Sequence, residues 1–176
     1  MIPLNLSEVY KLIEPGPVVL LTTHGRKKDN VMTMSWHLMM DFEPPTIGCV
    51  VSTGDYSYEA LLSTGECVIA VPTVEITELV TKIGNSSGRE INKFKVFNIQ
   101  TTPSENVKAP LINDCYANLE CKVIDTSMVG KYGFFVLEVK KAWKNEDIDE
   151  LVTIHHRGDG EFSVDGEIIK LQSKMR

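Results

Sequence analysis

Two runs constrain this chain most: TIGCVVS, from Thr46 to Ser52, and ECVIAVP, from Glu66 to Pro72. Each is near-continuously apolar over the length of a strand, the pattern of a strand covered on both faces. Other β-type runs surround them. PVVLLTTHG (Pro17 to Gly25) leads through the turn residues GRKKDN into NVMTMSWHLMM, which reads as the return strand of a hairpin. DFEPP then breaks the chain, because successive prolines cannot join a central ladder. YANLECKVIDTSMV, GFFVLEVKKAWKN, ELVTIHHR and GEFSVDGEI supply later strands, with Gly130, Gly133, Gly158, Gly160 and Gly166 as turn points.

Helical signals are fewer. In TGDYSYEALLSTGE, Asp55 or Ser57 is placed to cap a short helix that Gly65 ends. In TVEITELVTKIG, Ile76, Leu79, Val80 and Ile83 are spaced by three, one and three, one face of a helix. Many strands with two or three short helices predict a mainly β fold, a barrel of antiparallel strands with helices packed outside. The 176 residues suit one domain over 1–176, able to bury roughly 70% of its unfolded surface without staples.

The net charge of -6 argues against a general nucleic-acid binder, which presents a basic field. Cys49, Cys67, Cys115 and Cys121 sit in apolar contexts without CxxC spacing and read as free buried thiols. With neither a secretory signal nor a run of roughly 20 apolar residues, the expectation is a soluble cytoplasmic protein.

Neither GxGxxG after a strand nor GxxxxGK[ST] is present, and GxSxG and HExxH are absent too. Three polar stretches remain. In NVMTMSWH, Val31, Thr33, Ser35 and His37 share one strand face and Asn30, Met32, Met34 and Trp36 the other. The hydroxyl face is compatible with water or with a polar ligand. At Ser52 to Ser57 a buried strand runs into a helix start, where free N–H groups and hydroxyls suit an anion and capping is the plainer use. GNSSGREINKF combines two serines with Arg89 and Lys93, the inventory for a phosphate ester or simply for a solvated loop. The neighbours His155 and His156 point to opposite strand faces, a poor joint metal site, and Arg157-Gly158-Asp159 reads as a tight turn.

The order of these motifs resembles the flavin reductase-like, FMN-binding split-barrel family, which includes the flavoredoxins. The matching segments are PGPVVLLTTHG, NVMTMSW, DFEPPTIGCVVSTGDYSYEALLSTGECVIAVPT, GNSSGREINKF and KAPLINDCYANLECKV, with a weaker echo in IHHRGDGEF. The resemblance implies a split β-barrel homodimer with FMN near the subunit interface. It implies flavin contacts from Asn30, Met32, Thr33, Met34, Ser35 and Trp36. It also implies Val51, Ser52, Tyr56 and Ser57 near the ring edge and phosphate, and Ser86, Ser87, Gly88, Arg89 and Lys93 towards the phosphate end. Such a protein carries electrons to a redox protein partner or oxidises NADH or NADPH, its flavin supplying the chemistry and no side chain acting as acid or base. The alternative is a non-catalytic dimeric barrel that uses the same rim for another phosphorylated ligand or a protein partner.

Overall fold

The computed structural model describes residues 16–26 and 28–172. Seven strands form one antiparallel sheet in the order β2-β1-β5-β8-β9-β4-β3. They are β1 (Val19–His24), β2 (Asp29–Met34), β3 (His37–Phe42), β4 (Pro45–Val50), β5 (Glu66–Val71), β8 (Ala117–Asp125) and β9 (Phe134–Lys144). β6 (Thr101–Thr102) pairs with β7 (Leu111–Ile112), and β10 (Ile154–Gly158) with β11 (Glu161–Val164).

The edges of the sheet are β2 and β3, and only Ser35 and Trp36 separate them in the chain. Three Cα steps reach at most about 11 Å. The sheet must therefore roll up until its edges meet at this seam, which makes it a split barrel. Val50 N–H donates to the Trp36 carbonyl at 3.0 Å, and the His37 Nε2–H to the Pro17 carbonyl at 2.7 Å. NVMTMSWHLMM is thus two strands on opposite edges, not one return strand. The reason lies in β1, whose ladder to β2 ends at Val19↔Met34; Pro17, just before it, has no N–H to prolong pairing.

Side chains at a spacing of two fill the interior: Val19 and Leu21, Ile47 and Cys49, Cys67 and Ile69, Phe135 and Leu137. Tyr58 packs edge-on against Phe135, with ring centroids 5.8 Å apart. Outside, Val80 and Ile83 of α2 (Thr77–Gly84) bury Val18, Leu20 and Val31. This double cover answers the continuous apolar runs: TIGCVVS is β4, ECVIAVP is β5, and both are buried along most of their length. All four cysteines are free and buried as expected.

Four helical segments stand among the described residues: α1 (Ser57–Thr64), α2, α3 (Lys93–Val96) and α4 (Val129–Tyr132), the last two single turns. A 3-10 turn, Val74–Ile76, leads into α2. Gly65 ends α1 at φ 66°, as predicted. The expected side-chain cap at its start is absent. Asp55 Oδ2 instead accepts from the Ser52 amide (2.8 Å) and hydroxyl (2.9 Å), while Ser57 is spent on Asn30. Among the described residues, no helix is long and apolar enough to cross a membrane, and no cluster of three or more His, Cys, Asp or Glu is placed to hold a metal ion.

Candidate functional site: a cleft along an edge strand

A cavity of about 400 Å³ runs beside β2. Asn30, Met32 and Thr33 form its floor; Gly54 to Tyr56 close one side, and Ile83 to Glu90 with Lys93 close the other. A second cavity of about 350 Å³ shares Thr33, Gly84 and Asn85 and continues past Ser35 to His156 and Phe162. The two are one elongated cleft, with Arg89 and Lys93 beside Asp55 and Glu90 at one end and uncharged or imidazole side chains at the other.

The end that holds Arg89 and Lys93 is built by close packing of two loops. Asn30 is buried, and its amide donates to the Ser57 hydroxyl at 2.9 Å. Gly88 passes so near that a Cβ there would collide with Asn30 Oδ1 and Tyr56 Cδ1, so the loop needs glycine for the approach. Arg89 Nη1 donates to the Gly54 carbonyl at 2.8 Å and ties one loop to the other. The Tyr56 ring has the Arg89 guanidinium 5.8 Å and the Lys28 ammonium 5.4 Å from its centroid.

Lys93 opens α3 with only 4% of its surface exposed, and its Nζ donates to the Ile83 carbonyl at 2.8 Å. Burial pulls its pKa from 10.5 down to about 8, with Asp55 pulling the other way. An ammonium carries three N–H donors, and Ile83 takes one. A buried cation this sparsely matched favours an anionic group that enters the cleft. Ser87 accepts from the Arg89 amide at 3.2 Å and keeps its own proton to donate, whereas Ser86 donates to the Lys82 carbonyl at 2.8 Å.

Thr33 resolves what the hydroxyl face of β2 meets. Its Oγ1 donates to the Val80 carbonyl at 2.7 Å, and a Cβ on Gly84 would sit 3.4 Å from it. The last turn of α2 thus rests on this face, and the cleft opens beside it. Asn30, Met32, Thr33, Tyr56, Ser86, Ser87, Gly88, Arg89 and Lys93 line the first cavity, and Ser35 the second.

Five expected residues lie off the cleft. Met34 and Val51 point into the barrel, and Trp36 projects at the seam. Ser52 is turned to Asp55, and Ser57 is buried behind Asn30. Sequence reasoning missed Asp55 as part of the wall, Gly84 and Asn85 at the end of α2, and His156 and Phe162. Gly84 and Asn85 carried a signal, the G-N pair that closes the apolar period. His156 and Phe162 carried none, since they meet only through the β10–β11 pairing.

An antiparallel split barrel with an elongated cleft along one edge and a buried lysine at its end fits a protein of the flavin reductase-like class. The sequence pattern of the flavin reductase like domain matches residues 12–161, and the chain belongs to that family. A protein of Archaeoglobus fulgidus is 35% identical over 136 residues, 76% of each chain. An FMN-binding domain of a flavin reductases-like enzyme from Shewanella baltica superposes with a TM-score of 0.83, at 26% identity over 96% of each chain. A flavoredoxin from Methanosarcina acetivorans has the same fold, with a TM-score of 0.84 at 24% identity, over 99% of this chain and 96% of that one.

Proposed function

We propose that this chain holds FMN in the cleft along β2 and works as a flavin-dependent redox protein, as a flavoredoxin or an NAD(P)H:flavin oxidoreductase does. Lys93 carries the reading: a buried ammonium at one end of an elongated cleft, hydrogen-bonded to one carbonyl and with the Asp55 carboxylate in the same wall, has N–H donors left for a phosphate dianion. Arg89 and Ser87 would add donors there. Thr33 and Ser35, small and partly covered by α2, leave room for a flat ring beside the strand. FMN, when bound, supplies the electron chemistry, taking up a hydride or single electrons and passing them on. The residues bind, orient and screen it; the hydroxyl of Thr33 is already committed to Val80.

Strand β3 supports a homodimer. Leu38, Met39, Met40 and Phe42 are all exposed on this edge strand, Phe42 to 77%, and Trp36 projects beside them. A long apolar edge of this kind invites pairing with a second copy.

The visible spectrum of the purified protein, followed by titration of stripped protein with FMN, tests the proposal. Yellow protein that regains its colour with FMN supports it; colourless protein without FMN uptake returns the chain to a non-catalytic barrel for another phosphorylated ligand. Oxidation of NADH or NADPH with excess free FMN then separates reductase from carrier, turnover assigning the former.

A further inference from the structure

We propose that the segment after β11, Gly166 to Leu171, is an arm that crosses to a second copy of the chain and lies against that copy's β3, so that each arm covers the other copy's apolar edge. This rests on the homodimer reading above and adds to it the piece of chain that does the covering.

The arm has a fixed root and an uncovered length. Asp165 is the root: its amide donates to the Thr153 carbonyl at 3.2 Å, and its Oδ2 accepts from the Thr153 amide and hydroxyl at 2.7 Å each. Beyond it, residues 166–172 form neither helix nor strand, and every one of them is exposed. Ile168 is 93% exposed, Ile169 76% and Leu171 79%. Apolar side chains scattered singly over a surface are ordinary, but three large ones within four residues are not. The chain that carries them gives them no bed.

β3 offers what the arm lacks. In the sheet it has β4 on one side and, among the described residues, no strand on the other, and Leu38, Met39, Met40 and Phe42 stand exposed along it. A stretch of chain with no ladder of its own can meet such an edge with its backbone while its side chains cover the apolar surface. Charge agrees with that pairing. From His37 to Val50 the β3–β4 hairpin carries Asp41 and Glu43 and neither Lys nor Arg, whereas residues 166–176 carry Lys170, Lys174 and Arg176 against Glu167. Position agrees as well. The Val18 amide donates to the Ile154 carbonyl at 2.8 Å, which fastens the β10–β11 ribbon beside the start of β1, and the adjacent Pro17 carbonyl accepts from His37, the first residue of β3. The arm's root and β3 thus flank the same seam. About a two-fold axis there, the contact of one copy's arm with the other's β3 is made twice and closes the dimer.

Sedimentation of the full chain over a dilution series reads the dimer dissociation constant, and the melting temperature checks that each variant is folded; all the substituted side chains are exposed, so none should unfold it. Ile168→Ser, Ile169→Ser and Leu171→Ser together should raise the dissociation constant at least about a hundredfold, the loss expected when three covered apolar side chains are removed. Met39→Ser with Phe42→Ser, on the other side of the contact, should do about the same. The two sets touch each other in the dimer, so the variant carrying both should be weaker than either by no more than about tenfold. A dimer as tight as wild type in the arm variant, or losses that multiply in full in the combined variant, overturns the arm's place on β3 while leaving a β3 homodimer intact. A wild-type chain that stays monomeric at every concentration removes the homodimer reading and the arm's role with it.

Discussion

Lys93 gives the sharpest test, because its burial makes phosphate binding depend on pH in a range where the phosphate itself does not titrate. With a pKa of about 8 in the empty cleft, roughly nine tenths of Lys93 is charged at pH 7 and one tenth at pH 9. A phosphate monoester has its second pKa near 6 and stays dianionic across that span. The charge that changes across this span is that of the Lys93 ammonium. The apparent FMN dissociation constant should therefore rise about tenfold from pH 7 to pH 9, and riboflavin, which has no phosphate, should show no such rise. Lys93→Met fills the same space without charge and removes one charge-assisted hydrogen bond, about 1.5 to 3 kcal/mol. That is a loss of roughly 10- to 150-fold in affinity at pH 7. Its FMN affinity should also be flat with pH. Flavin-fluorescence titrations of stripped protein at pH 7, 8 and 9 read all three quantities. Wild-type affinity in K93M, or the full pH slope surviving in it, would refute the assignment of the phosphate to Lys93.

The remaining predictions concern the scaffold. Gly88→Ala drives a methyl into Asn30 and Tyr56 and should cost about 1–3 kcal/mol along with FMN affinity, whereas Gly130→Ala, with open space around it, should leave the melting temperature unchanged or higher. Glu120 is buried; burial pushes its pKa up, but N–H groups of Glu105, Trp143 and Asn106 outweigh this and hold it below the usual carboxylate value. A depressed carboxylate stabilises the fold above its unfolded pKa of 4.5, and that contribution is lost as pH falls. Glu120→Gln should cost about 1–3 kcal/mol at pH 7 in urea denaturation, since one amide oxygen cannot serve every donor, and should flatten the acid limb. Burial raises the thiols of Cys49 and Cys115 to about 12, so a thiol reagent at pH 8 should label all four cysteines in urea and almost none in the folded protein.

How much of this was legible follows from where each signal is stored. Buried strands announce themselves locally: TIGCVVS and ECVIAVP are apolar throughout because both faces are covered, one by the barrel interior and one by the outer layer. The three-one-three spacing of Ile76 to Ile83 likewise marks the face that α2 turns to β1 and β2. The break after Met34 was illegible, since the two-residue alternation runs on through Ser35 and Trp36 while the pairing partner changes from β1 to β4. Ser57 shows the same limit at the scale of a side chain. A hydroxyl at a helix start serves as a cap or as a buried acceptor, and the choice was made by Asn30, 27 residues earlier in the chain.

The cleft's position follows from the seam. β2 is an edge of the sheet, so one side of its backbone has no strand to pair with. Such an edge has to be covered, blunted or used. Here the end of α2 covers part of it through Thr33, and the loop from Asn85 to Asn92 passes close enough to need glycine at position 88, which leaves a slot rather than a closed wall. Because Ser35 and Trp36 carry the chain directly to β3, the slot cannot be filled by a further strand hydrogen-bonded to β2; the barrel has already used its next strand on the opposite edge. An unpaired backbone edge, small side chains at Thr33 and Ser35 and a buried ammonium at Lys93 are then what a flat, phosphate-ended ligand needs, and they come together because the sheet is split at that seam.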